Sequence, residues 1–254
     1  MLSRLENFEQ RVITLDHSMA LPAAVVALGF ALLARALRAV SDGGALAGAG
    51  IAFLWMTAAG VRGIAPLMAV FLLTLLATRW RSERKRNIGV AERARGRVAS
   101  QVLANLGASG LCAAVAILFP QQSRMLLIGG MAALAEAAAD TVSSEVGQAV
   151  ARQPRMILGF TPAPAGTNGA ITFEGTLAGG IAASVVTWAG TLLGLVPWTA
   201  ASLITIAGVC GMLFDSVLGA ILENRGKLGN DSVNFISTVF AADLALIVAL
   251  VMRG

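Results

Sequence analysis

Eight apolar stretches, each close to the length that crosses a bilayer, follow one another along this chain with short polar breaks between them. They cover roughly residues 19–40, 43–60, 61–79, 98–118, 125–150, 172–196, 198–223 and 231–252. Lipid offers no partners to backbone N–H and C=O groups, so each stretch must satisfy its own as a helix. The expected fold is therefore all-α, a polytopic transmembrane helix bundle of about eight spans. The second and third stretches are short and Gly-rich where they meet, which suits a broken or re-entrant hairpin. With 57% hydrophobic and 13% charged residues, little is left for a soluble domain. Ahead of the first stretch, Leu2, Leu5, Phe8 and Val12 recur at helical spacing. Residues 1–18 are thus expected to form an amphipathic surface helix, and 19–254 a single transmembrane catalytic domain.

Orientation follows from the basic residues. The segment RWRSERKRNIGVAERARGR, residues 79–97, sets eight Arg or Lys against Glu83 and Glu92. That excess is larger than the net +5 of the whole chain, and it predicts a cytoplasmic loop. Alternating the spans outward puts Arg35, Arg38, Arg152, Arg155, Arg225 and Lys227 on the same side. Arg62, Arg124 and Arg253 fall on the other. The loop serves as a topology signal, and it also suits a funnel for an anionic substrate.

Polar residues inside the spans are few and one-sided. In MAALAEAAADTVSSEVGQAV, residues 131–150, Glu136 and Asp140 are four apart and share a helix face that Ser143, Ser144 and Gly147 continue. Glu145 lies well round from Glu136 on an ideal helix. Asp140 sits roughly 15 Å deep if the helix ends near Val150. An ionisable group at such depth costs at least ~2.5 kcal/mol. Gln101 and Asn105 open one span, Asp215 lies about two turns from the end of another, and Asn230, Asp231 and Asn234 open the last. All belong to the cytoplasmic halves. Asn105, Gln101 and Asn234 also fit interhelical hydrogen bonding, and Asp231 fits a helix cap. Asp140 and Asp215 have no cationic partner within any span, which favours a bound cation or proton. Hard oxygen ligands of this kind suit Mg²⁺. His17 is the only histidine and lies outside the spans, so histidine catalysis within the membrane is excluded. Cys112 and Cys210 sit in apolar runs without metal-like spacing.

The loop GFTPAPAGTNGAITFEGTLAG supplies a complementary half. Gly166-Thr167-Asn168-Gly169 makes a turn, and a span starts near Thr172 with its N-terminus facing the cytoplasm. Spans starting near Val98 and Asp231 face the same way. Helix N-termini favour phosphate. Anion-friendly helix starts alternating with carboxylates suit a Mg–phosphate substrate. Recurring Gly and Ala in GGALAGAG, GTLAGGIAA and AGVCGMLFDSVLGA are expected to allow close helix packing.

Six segments occur in an order that resembles one integral-membrane family, catalogued as a domain of unknown function: SDGGALAGAGIAFL, RGRVASQVLANLG, AAADTVSSEVG, GTNGAITFEGTLAG, GMLFDSVLGAILE and NDSVNFIS. The resemblance covers roughly residues 40–252. The family includes plant and cyanobacterial phytyl-phosphate kinase, and it is distantly similar to CTP-dependent polyprenol kinases and phosphatidate cytidylyltransferases. The resemblance implies a Mg-dependent prenyl-phosphate kinase. Such an enzyme makes a phytyl, geranylgeranyl or farnesyl diphosphate from the monophosphate and a nucleoside triphosphate, with CTP favoured. Glu136 stands where the family often has a small residue, and Ala170 replaces a second Gly after GTNG.

The expected site comprises Asp140, Asp215 and Asn105 as catalytic groups, with Asp140, Glu145, Asp215 and Asp231 available to Mg²⁺. Arg93, Arg95, Arg97, Gln101, Asn105, Thr167, Asn168, Gly169, Asn230 and Asn234 are expected around the phosphates, with Glu136 and Ser144 nearby. Expected partners are the nucleotide, a prenyl monophosphate and the bilayer, with no nucleic acid, and a homodimer is compatible. The expected location is a bacterial inner membrane with the site on its cytoplasmic side. Two other functions fit the same residues: a cytidylyltransferase acting on a lipid phosphate, and a cation- or proton-coupled transporter. The crowding of acids on one side, with no clear inverted repeat, argues against transport.

Overall fold

Each of the eight apolar stretches becomes one long helix in the computed structural model, which describes residues 17–87, 89, 96–150 and 153–252. The helices are α1 (His17–Ala36), α2 (Asp42–Ala59), α3 (Ile64–Arg79), α4 (Ser82–Asn87), α5 (Ala99–Leu118), α6 (Ser123–Val150), α7 (Phe173–Leu192), α8 (Ala201–Leu218) and α9 (Asn230–Val251). Among these α4 alone is a short, charged helix. The amphipathic helix expected over residues 1–18 lies outside the described residues, apart from the start of α1. Six segments are long and apolar enough to cross a membrane, counting Asp42–Arg79 as one.

That 38-residue segment folds back on itself. Gly60 ends α2 with φ at +65°, and Gly60–Gly63 form a 3-10 turn. A Cβ at Gly63 would lie 2.7 Å from the Trp55 carbonyl, so the turn is tight. The start of α2 lies beside Arg97, and Arg79 at the end of α3 donates to the Leu37 carbonyl. Both ends of the hairpin are therefore at the same face. The broken hairpin expected from the Gly-rich junction is present, with helices of about 27 and 24 Å at 1.5 Å per residue.

Helix α6 is the axis of the bundle. It is buried without a break from Leu127 to Ala139 and in part from there to Ala149, with α3, α5, α7, α8 and α9 packed around it. Glycines let the neighbours come close. A Cβ at Gly175 would lie 2.6 Å from the Ser143 carbonyl, one at Gly179 2.8 Å from the Ala139 carbonyl, and one at Gly208 3.0 Å from the Ala135 carbonyl carbon. The expected small-residue packing holds for α7 and α8 against α6. It does not hold for Gly48 and Gly50 of α2, where an added Cβ meets nothing within 4 Å.

Helix α1 lies outside and packs on α2. Long side chains such as Leu21, Val25, Leu32, Phe173, Leu177 and Ile247 are exposed around the rim, as a lipid-facing surface requires. At the opposite end from Gly60–Gly63, a small antiparallel pair, β1 (Arg155–Met156) with β2 (Ala170–Ile171), folds the connection between α6 and α7 back over the bundle. The Arg155 guanidinium donates to the Phe160 carbonyl at 2.8 Å and holds the loop between the strands.

Candidate active site

Helix α6 carries a polar ridge into its own buried length. Asp140, Ser144 and Gln148 recur every fourth residue, on one face. The ridge separates two small polar cavities that share Asp140, Ser144, Gln148 and Asn230.

The first cavity, about 150 Å³, lies between α5, α6 and the start of α9. Arg97, Gln101 and Asn105 enter from α5 and its approach, and Asn230 and Asn234 from α9. Arg97 is firmly held. Its N–H donates to the Ala39 carbonyl and its carbonyl accepts from Ser41, both at 3.0 Å, while its guanidinium reaches the Thr141 hydroxyl at 3.4 Å. Gly96 makes this possible, with φ at +73° and no room for a Cβ against Ala39. Asn105 donates to the Gln101 carbonyl at 2.8 Å, which fixes its rotamer.

The second cavity, about 160 Å³, lies between α6, the Thr167–Thr172 turn and the end of α8. Its acids are Asp140, Asp215 and Glu223, and among the described residues no basic one lines it. Ser237 donates to Asp215 Oδ2 at 3.1 Å. The helix past Asp215 widens into a π-turn at Gly219–Glu223, with Asn224 N–H bonded to the Gly219 carbonyl at 3.1 Å. Such wide turns re-aim side chains and recur at functional sites. Here Glu223 comes to the same cavity as Asp215.

Gly169 closes the turn opposite the π-turn. Its φ is +78°, and a Cβ would lie 2.6 Å from both the Ala220 nitrogen and the Ser216 carbonyl. Asn224 donates to the Asn168 carbonyl at 2.9 Å and locks the two turns together. Gly169→Ala is therefore expected to cost about 1–3 kcal/mol in unfolding free energy and to weaken ligand binding at the second cavity. Thermal unfolding in detergent checks the first effect, and nucleotide titration checks the second.

Of the expected site residues that the structure describes, all but Asp231 and Glu136 line one or other of the two cavities. Arg93 and Arg95 lie outside the described residues. Asp231 faces a separate apolar groove with Leu228, Ser232 and Phe235, on the other side of α9's first turn. Glu145 reaches the first cavity, but its carboxylate is already taken. Lys85 of α4 forms a buried ion pair with it, and Thr78 donates to Oε1 at 2.9 Å. Both observations count against the expected roles of Asp231 and Glu145 in holding a metal. Glu136 lies one turn deeper than Asp140, only 1% exposed, and neither carboxylate oxygen has a partner among the described residues. It fills the space that Gly211 leaves, where a Cβ would lie 2.9 Å from Ala241 Cβ and 3.1 Å from the Ser237 carbonyl.

Two of the three helix starts expected to attract phosphate carry internal caps. Thr172 Oγ1 accepts from Gly175 N–H at 3.0 Å, and Gln101 Oε1 accepts from Val98 N–H at 2.9 Å. The start of α9 has no side-chain cap. Sequence reasoning missed Gln148 and Glu223. Gln148 was accessible from its spacing of four from Ser144. Glu223 was accessible in the same way, two turns beyond Asp215, although the π-turn sets its final direction.

Three carboxylates line the acidic cavity, yet among the described residues no three Asp, Glu, His or Cys groups converge into a self-sufficient metal site. Mg²⁺ does not need one, since it is usually held by one or two carboxylates with phosphate oxygens and water. Among the described residues Asp140 takes no protein hydrogen bond, so its carboxylate is available. The donor set fits Mg²⁺ on a phosphate ligand.

The family model described as integral membrane protein DUF92 matches residues 25–242. The chain belongs to this family. An uncharacterized membrane protein of Methanocaldococcus jannaschii is 32% identical over 86% of the chain and 89% of its own length. Protein PGR of Arabidopsis thaliana is 34% identical over 71% of the chain and 72% of its own length. Protein VTE6, chloroplastic, of the same plant is 29% identical over 76% of the chain and 59% of its own length. No solved structure matches the chain. The DUF92 chain is thus an integral membrane protein, and its two polar cavities lie within the matched span.

Proposed function

We propose that this protein is a prenyl-phosphate kinase working at the cytoplasmic face of a bacterial inner membrane. It moves the terminal phosphoryl group of a nucleoside triphosphate, CTP favoured, to a prenyl monophosphate. The observation that carries the reading is the pairing of an acidic cavity with an Arg- and amide-lined one across Asp140. The resemblance to a family that includes phytyl-phosphate kinase supports it, as does the chloroplast relative. The net basic charge of residues 79–97 supports the cytoplasmic side.

Asp140 and Asp215, with Glu223 close by, would hold Mg²⁺, which would supply charge neutralisation on the triphosphate. Asn168 and the Thr167–Gly169 turn border the donor phosphates in the acidic cavity. Arg97, Asn105, Asn230 and Asn234 hold the acceptor phosphate in the other. An acceptor phosphate oxygen forms the new P–O bond as the bond to the donor's leaving phosphate breaks, releasing the nucleoside diphosphate. The acceptor is already an anion at neutral pH, so no strong base is required. Catalysis is then alignment and charge stabilisation by fixed groups.

The test uses purified protein with Mg²⁺, CTP or ATP, and prenyl monophosphates of several lengths, with products identified by mass. Prenyl diphosphate and nucleoside diphosphate are expected. Pyrophosphate release with a nucleotidyl-lipid product would instead identify the cytidylyltransferase, which shares the same site. No nucleotide binding at all would overturn both.

A further inference from the structure

A third cavity, about 350 Å³, lies between α1, α2, α3 and α5, outside the two polar ones. Its walls are apolar, formed by Phe30, Leu67, Val70, Phe71 and Leu106. Phe30 and Phe71 meet edge to face at 5.3 Å across it. One end differs sharply. Arg38, Arg79, Arg86 and Arg97 line it there, and among the described residues no acidic one lines any part of the cavity. These arginines come from four separate places: the turn after α1, the end of α3, α4 and the approach to α5. Arg97 and Asn105 line this cavity and the first polar cavity alike. Arg97 and Asn105 therefore form the boundary between the apolar chamber and the polar cavity that Asp140 lines.

We infer that this chamber binds the tail of a single-chain lipid phosphate, with Arg38, Arg79 and Arg86 joining Arg97 around its phosphate. The inference rests on the kinase reading for the identity of the lipid as acceptor. The volume falls in the range that encloses one small ligand. Along α3, the twelve steps from Leu67 to Arg79 span about 18 Å, enough for a chain of several isoprene units. Guanidinium groups suit a phosphate better than an ammonium does, because they bind it bidentately. Among the described residues no acid lines the cavity beside Arg38, Arg79 and Arg86, so an anionic head group would supply their countercharge there, with Arg97 shared between it and Asp140. The part of the chamber near Leu67 then limits chain length. Gly48 borders this space, and a Cβ there meets nothing within 4 Å, so a larger side chain enters it without displacing helices.

The experiment uses the whole protein in phosphatidylcholine nanodiscs with a diazirine-bearing geranylgeranyl phosphate, mapped by peptide mass. Labelling is expected in residues 30–38 and 67–79, displaced by unlabelled geranylgeranyl phosphate and not by excess phosphatidylglycerol. Gly48→Phe should weaken binding of that lipid at least about tenfold and leave dimethylallyl phosphate unaffected; Val70→Trp provides a second filling variant from the opposite wall. Arg79→Gln with Arg86→Gln should lose the phosphate-bearing probe while keeping labelling by the neutral prenol probe. Labelling elsewhere, or equal displacement by phosphatidylglycerol, overturns the inference, the latter marking a site for bulk lipid. Specific labelling here without phosphoryl transfer to any acceptor would overturn the kinase reading and leave this site standing.

Discussion

Asp140→Asn is expected to lower phosphoryl transfer by about 10²–10³-fold, the range seen when one preorganised charge or donor is lost from a site of this kind. Among the described residues Asp140 is the one acid that borders both polar cavities, where the proposed kinase would bring donor and acceptor together. Among the described residues it accepts no protein hydrogen bond, so the amide orphans no donor and the fold should persist. Arg97 lies close enough to interact with it electrostatically, and Arg97 keeps its backbone and Thr141 contacts in the variant. Initial rates with saturating Mg²⁺ and nucleotide check the first part, and thermal unfolding checks the second. Turnover within about threefold of the parent protein would remove Asp140 from the site. Asp215→Asn should follow the same pattern, since its Oδ acceptor can still take the Ser237 hydroxyl.

The carboxylates were legible because an apolar span makes each one conspicuous. Glu136, Asp140 and Ser144 share a face by simple periodicity, and the cost of such groups in lipid marks them as functional. Asn105, Asp215 and Asn234 could be placed by counting from helix ends. The order of helices was legible for the same reason: in lipid, hydropathy and backbone satisfaction leave few choices. Tertiary direction was not legible. Asp231 opens α9 beside Asn230, yet it points to the far side of that turn. Glu223 follows Asp215 by two turns, and the π-turn that sets how it enters the acidic cavity is signalled by no propensity. The arginines at residues 79–97 carry so much topological information that nothing in the sequence separates those lining a chamber from those that do not.

Lys85→Met is expected to destabilise the protein by about 3–5 kcal/mol, the cost of stranding one member of a buried ion pair. In sequence, Lys85 is one charge in a basic run. In the fold its side chain is 1% exposed. Its Nζ pairs with Glu145 and also donates to the Ala77 and Thr78 carbonyls, at 2.9 and 2.8 Å. All three donor positions are thereby used. One ammonium thus caps the end of α3 and clips α4 onto α6. Removing it leaves the Glu145 carboxylate, 9% exposed, with only the Thr78 hydroxyl at 2.9 Å. Adding Glu145→Gln removes that stranded charge, so the double variant should recover much of the loss. The cycle also decides what Glu145 does. As a structural partner, Glu145→Gln alone should lower unfolding stability while the surviving folded fraction keeps its turnover and its Mg²⁺ dependence. As a metal ligand, it should instead raise the Mg²⁺ requirement with little change in stability. The Lys85 contacts favour the first outcome, because an ammonium at hydrogen-bonding distance competes with any cation for the same oxygen.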